Sequence, residues 1–190
     1  IWGCSLPKSC FVSIILAIFL LCFVYTFVSL LYLCRDNQTI MDNENLISDL
    51  LKKIKGKAGD TLSAESMSVL NADEITLWGY SILHEEVMGG GFIQLIHNGY
   101  GPFFFNNPFA KAMRLYGLHE LSKLLYKAKS LYDLHGDKIA KDCTDEEFMA
   151  LYEQYPEFDD LDDEFIINEE SYCESISAYI KNNPRLFSLE

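Results

Sequence analysis

Glu86-Val87-Met88-Gly89-Gly90-Gly91-Phe92-Ile93-Gln94-Leu95-Ile96-His97-Asn98 decides how the chain is read, because three glycines interrupt an otherwise continuous helical pattern. Upstream, Asn71-Ala72-Asp73-Glu74 has the spacing of a capping box, in which each polar side chain reaches the other residue's backbone N–H. Ile75, Trp78, Ile82 and Glu86 then recur at helical spacing, which predicts a helix carrying Glu86 on its apolar face. A carboxylate there is costly to bury unless hydrogen-bonded, and a helix restarting after the glycines offers free N–H groups. The expectation is therefore an internal cap, with Glu86 bonded to the backbone of the second helix.

Working outward, Leu46, Ile47, Leu50, Leu51 and Ile54 form a helical stripe, and a connector over 56–63 leads to a short helix over 64–70. Past the motif, Asn98-Gly99-Tyr100-Gly101-Pro102 marks a loop, and Phe103, Phe104 and Phe105 are expected to plug the core. Asn107-Pro108 starts a helix that Gly117 stops, and Leu118, Leu121, Leu125 and Ala128 give the next apolar face. Thr144-Asp145-Glu146-Glu147 is a second capping box, opening a helix with Phe148, Leu151 and Tyr152 inward that ends near Pro156. The last helix is predicted from about Glu169 to Lys181. Strand patterns are sparse and no repeat is visible, so the expected fold class is all-α: a compact multi-helix domain behind a hydrophobic N-terminal segment.

That segment, Phe11 to Cys34, carries no charge over 24 residues, about the length that crosses a bilayer. Two readings of it are open. In one, residues 11–34 are a membrane anchor with the C-terminal domain in the cytoplasm, as the lysines at 52, 53, 55 and 57 favour. In the other, residues 1–40 are a leader or translated upstream sequence, Met41 opens the working protein, and residues 41–190 form a cytoplasmic acidic domain. Four of the six cysteines lie before position 40, and Cys143 and Cys173 read as reduced structural thiols without metal spacing.

The chain carries a net charge of −13, which opposes direct nucleic-acid binding and favours basic partners. The charge is concentrated: residues 142–180 hold fourteen carboxylates and no Lys or Arg. Its densest part, Asp159, Asp160, Asp162, Asp163 and Glu164, is the candidate partner-binding set. Carboxylates three or four residues apart on a helix stand about 5–6 Å from one another, a scale comparable with phosphate spacing along a nucleic-acid strand. The plainer alternative is a solvated face that serves solubility.

The pattern Glu86-Val87-x-x-Gly90-Gly91-Phe92-x-Gln94-x-x-x-Asn98 resembles the DNA-mimic protein family, a group of bacterial acidic helical proteins. Phe158-Asp159-Asp160-Leu161-Asp162-Asp163-Glu164-Phe165 and the stretch Tyr179-Ile180-Lys181-Asn182-Asn183-Pro184-Arg185-Leu186-Phe187 are similar to that family as well. Gly89 departs from it, standing where the family usually has Asn. The resemblance implies a helical domain, acidic groups presented to a DNA-binding protein, and self-association into a homodimer. Glu86, Gly90, Gly91, Phe92, Gln94 and Asn98 then form a structural motif that holds the helical core.

No catalytic, metal or cofactor site is assigned. Residues 160–164 lack the glycine and distant Glu of a calcium loop, His84 and His97 do not form an HExxH pair, and no phosphate loop or nucleophile elbow is present. The expected function is non-catalytic binding of a basic or DNA-binding protein. The alternatives are an immunity or antitoxin protein neutralising a basic toxin, and a small-molecule enzyme or carrier using Trp78, Tyr80 and Phe103 to Phe105 as a pocket.

Overall fold

The computed structural model describes residues 38–187, and among them every regular element is helical. The chain is all-α. Its contacts divide it into two units, Ile1–Asp42 and Asn43–Glu190, and the second is described below. The charge-free run over 11–34 lies outside the described residues. Among the described residues, no helix is long and apolar enough to cross a membrane.

The first described helix, α1, covers residues 38–58, of which 43–58 belong to the second unit. Of the predicted stripe it buries Ile47, Leu50 and Ile54 and half-buries Leu46 and Leu51, and it runs three residues into the stretch expected to be a connector. α2 spans Ala64–Ser68, and α3 spans Ala72–His97 with a kink inside it. α4 is Gly101–Phe105, α5 Phe109–Leu115, α6 His119–Ile139, α7 Asp145–Gln154 and α8 Asp159–Asn182. A 3-10 turn, Pro156–Phe158, joins α7 to α8, and another, Pro184–Phe187, follows α8.

Local chemistry explains most of these boundaries. The Asn71 side chain accepts the N–H of Glu74 at 2.8 Å and Glu74 accepts that of Asn71 at 3.1 Å, completing the first capping box. Thr144 and Glu147 do the same at 3.3 and 2.9 Å. Asn107 accepts the N–H of Phe109 at 3.0 Å, opening α5. Gly117, at φ +89°, closes α5: its own N–H reaches the Arg114 carbonyl at 3.2 Å and that of Leu118 reaches Met113 at 3.0 Å.

α3 and α6 run through the core, with α8 packed against both. Leu77, Trp78, Leu83 and Val87 of α3 are buried with Leu121, Leu124, Leu125 and Ala128 of α6 and Leu161, Phe165, Ile176 and Ile180 of α8. Phe104 and Phe105 are inside as predicted, with the rings of Phe103, Phe104 and Phe109 packed edge to face or tilted within 6 Å of one another. Gly79 permits this approach, because a Cβ there would stand 2.8 Å from both Phe103 and Phe109.

Two expectations about this framework need correction. The buried arc of α3 centres on Leu77, Trp78, Leu83 and Val87, while Ile75, Ile82 and Glu86 are only half-buried at its margin. The last helix begins at Asp159, ten residues earlier than predicted. Phe158, Leu161 and Phe165 recur at helical spacing within the acidic run and anchor it to the core, which carboxylate density alone conceals.

Candidate functional site: a trans-capped hinge beneath an acidic face

α3 does not stop at the glycines; it bends. Gly89 stays helical, Gly90 takes φ −169° and ψ 27°, and Gly91 takes φ 70° and ψ −174°, a conformation essentially confined to glycine. Non-helical backbone at Gly90 and Gly91 distorts the helical ladder, and two backbone groups beside the distortion, the Gly90 carbonyl and the Phe92 N–H, take partners from outside the helix. Both are answered from the acidic half of the chain. The Tyr152 hydroxyl of α7 donates to the Gly90 carbonyl at 2.8 Å, and Asp162 of α8 accepts the Phe92 N–H at 2.8 Å.

Glu86 therefore is not the cap. Its carboxylate accepts hydrogen bonds from two side-chain amides of the restarted segment, Gln94 at 3.0 Å and Asn98 at 2.8 Å. Three polar residues of the motif thus clamp the two halves of α3 to one another. The positions at i, i+8 and i+12 come together because the kink redirects the second half past the first. Cβ atoms at Gly90 and Gly91 would collide with Gln94 and with the Asp162 carboxyl respectively. At Gly89 a Cβ would stand 3.1 Å from the Gln94 amide nitrogen.

The third stretch singled out in the sequence, residues 179–187, fastens the start of α3. Asn71 donates to the Leu186 carbonyl at 2.8 Å, and the Tyr179 and Tyr116 hydroxyls both donate to Asp73 at 3.1 Å. The two tyrosine rings stack at 3.8 Å. Lys181 and Ser177 bond the side chain and backbone of Asn43, drawing in the adjacent part of α1. Lys57 of α1 pairs with the otherwise buried carboxylate of Glu74, so that this charge is compensated.

The five carboxylates of the densest acidic run are not equivalent. Asp159, Asp160 and Asp163 are exposed on α8. Asp162 is half-buried, turned toward the hinge, and its pKa is pushed up to about 6: loss of solvent raises it, the Phe92 N–H lowers it, and the charges of Asp159 and Asp163 raise it again. Glu164 forms an ion pair with Lys127 of α6 at 2.7 Å. Sequence reasoning missed the inward role of Asp162; it placed Tyr152 inward but not on the Gly90 carbonyl. The available signal was Gly91, since a backbone position without a side chain admits a close neighbour.

The other titratable candidates have local partners. His84 bonds Glu169 at 2.7 Å, and the Nδ1 of His97 donates to the Ile139 carbonyl at 2.9 Å. Cys173 is buried, and burial followed by the Glu169 and Glu44 charges pushes its thiol up to about 11, leaving it protonated and unreactive at neutral pH. Trp78 and Phe104 fill the interior.

An all-α domain, built on a glycine hinge capped from an acidic helical pair, is thus the class that the fold and site define among the described residues. Comparison with known proteins places it further. The family described as DMP19-like protein matches residues 68–183, from the last residue of α2 to just past α8. The DNA mimic protein DMP19 of Neisseria meningitidis serogroup B (strain ATCC BAA-335 / MC58) is 35% identical over 126 residues, covering 65% of this chain and 76% of the relative. The chain belongs to the DMP19-like family.

Proposed function

We propose that this protein is a non-catalytic DNA mimic whose α8 carboxylates occupy the basic, nucleic-acid-binding surface of a DNA-binding protein. The observation that carries the reading is the exposure of Asp159, Asp160 and Asp163 within a stretch, 142–180, that has no Lys or Arg. A surface that binds phosphates presents Lys and Arg to a row of negative charge, and exposed carboxylates at helical spacing offer a similar row on a folded scaffold. The name of the meningococcal relative supports the same reading. Asp162 and Glu164 contribute less, one engaged with the Phe92 N–H and the other with Lys127. The partner is a protein and not nucleic acid, since the net charge of −13 repels phosphates. The cytoplasm, where DNA-binding proteins meet DNA, is the place of action this implies.

The experiment is competition. The full chain, immobilised, captures proteins from its own cells, and each is tested for release by added salt and by excess duplex DNA. Release by both, with capture weakened in Asp159→Asn/Asp160→Asn/Asp163→Asn, is the expected result. Capture that duplex DNA cannot compete, and that the triple variant retains, would refute the reading.

A further inference from the structure

The solvent face of α8 carries aliphatic side chains as well as carboxylates. Ile166 is 49% exposed and Ile167 80% exposed, although this same helix buries Phe165 completely. At about 100° per residue, Asp159, Asp160, Asp163, Ile166, Ile167, Glu170 and Glu174 fall within one arc of roughly a third of the helix circumference. All seven are exposed. Along the helix axis the isoleucines lie between three aspartates toward the N-terminus and two glutamates toward the C-terminus, and around it they stand about 100° apart, toward the two edges of the arc. From Asp163 to Glu170 the helix advances about 10 Å, comparable with the roughly 12 Å width of a B-DNA major groove.

We propose that Ile166 and Ile167 form the affinity-determining centre of a docking face on α8, and that its occupant is a cationic helix of a DNA-binding protein carrying apolar side chains between its Lys and Arg residues. The proposal rests on the DNA-mimic reading and specifies the partner's chemistry. A DNA-reading helix meets two kinds of surface: phosphates, which its cations neutralise, and base edges, where apolar side chains touch thymine methyl groups. Carboxylates answer only the first. Two isoleucines standing between two groups of carboxylates answer the second, supplying methyl groups where the groove floor would lie. The division of labour follows: the carboxylates steer encounter and lose strength in salt, whereas the isoleucine contact, desolvated at the centre, persists. Charge decides between occupants, because a second copy would set this acidic arc against its own like charges.

The test uses the full chain and two synthetic helical peptides of equal charge, both with arginines spaced to meet the two carboxylate groups. One has a leucine pair between the arginines and the other a serine pair. Titrations over a range of salt concentrations should show the leucine peptide binding tenfold or more tightly than the serine peptide. In Ile166→Ser/Ile167→Ser that advantage should vanish while the salt dependence stays unchanged. Salt-sensitive binding that is equal for the two peptides overturns this proposal and leaves the mimic reading standing; no salt-sensitive binding of either removes both. Sedimentation of the free chain supplies a further check, since a dimer that dissociates in the double isoleucine variant would show a second copy seated here and overturn the proposal.

Discussion

Asp162 of α8 accepts the backbone N–H of Phe92 of α3 at 2.8 Å, joining the acidic helix to the bend of the central one across 70 residues of chain. The contact exists because Gly91 has no side chain: a Cβ at that position would occupy the place of the Asp162 carboxyl. A residue that charge density assigns to the surface is thereby part of the hinge. With Tyr152 on the Gly90 carbonyl, it fixes where the acidic face sits on the core.

The raised pKa of Asp162 has a definite consequence for stability. Folded, the group titrates at about 6 against an ordinary value of 3.8, so between these the native state holds more protons than the unfolded chain. Stability from this group is fully present below pH 3.8 and is lost as pH rises through about 6. Asp162→Asn keeps an acceptor for Phe92 without the charge and should equal or exceed the native protein in denaturant midpoint at pH 7, with the difference shrinking toward pH 4. Asp162→Ala, which strands the N–H, should lose about 1–3 kcal/mol. A less stable Asp162→Asn at pH 7 would contradict this account.

Gly91 and Gly99 both have positive φ, 70° and 84°, but only Gly91 faces a neighbour. Gly99→Ala should cost about 1 kcal/mol through backbone strain alone. Gly91→Ala adds the collision with Asp162 and should cost at least about 3 kcal/mol. Adding Asp162→Ala to Gly91→Ala should recover part of the loss, and a double-mutant cycle by chemical unfolding measures how much.

Glu86 holds two amide donors, so Glu86→Ala should destabilise by about 1–3 kcal/mol, and Glu86→Gln, which keeps one acceptor oxygen, by less. Binding through α8 should be unaffected in any variant that remains folded. An unchanged unfolding midpoint in Glu86→Ala would show that the Glu86–Gln94–Asn98 cluster carries no stability.

Leu50 of α1 is 2% exposed, buried in the same core as α3 and α8 although it lies outside the family-matched span. Leu50→Ala should cost about 2–5 kcal/mol, the range for a cavity in a packed interior. A single cooperative transition, shifted as a whole, would show that α1 folds with the domain; a small shift or a separate early transition would show that it does not.

The sequence by itself determined what depends on neighbours a few residues apart. The Asn71/Glu74 and Thr144/Glu147 capping boxes close over three residues, Gly117 ends α5 by adopting a backbone angle other residues avoid, and the faces of α1 and α6 follow from spacing. These contacts form between groups that chain connectivity already holds together, so pattern suffices. The family motif was likewise visible as residues, but not its wiring. Glu86 turned from the expected backbone donors to Gln94 and Asn98 because the Gly90–Gly91 bend brings those amides within reach. The choice of Asp162 among five adjacent carboxylates required tertiary structure, since they share one composition and differ only in helical phase and in what lies opposite. With Leu161 and Phe165 fixed in the core, phase places Asp162 against the space left by Gly91 and leaves Asp159, Asp160 and Asp163 to solvent. Burial and hydrogen-bond demand at that one point, set by a helix 70 residues away, separate the carboxylate that holds the fold from those free to meet a partner.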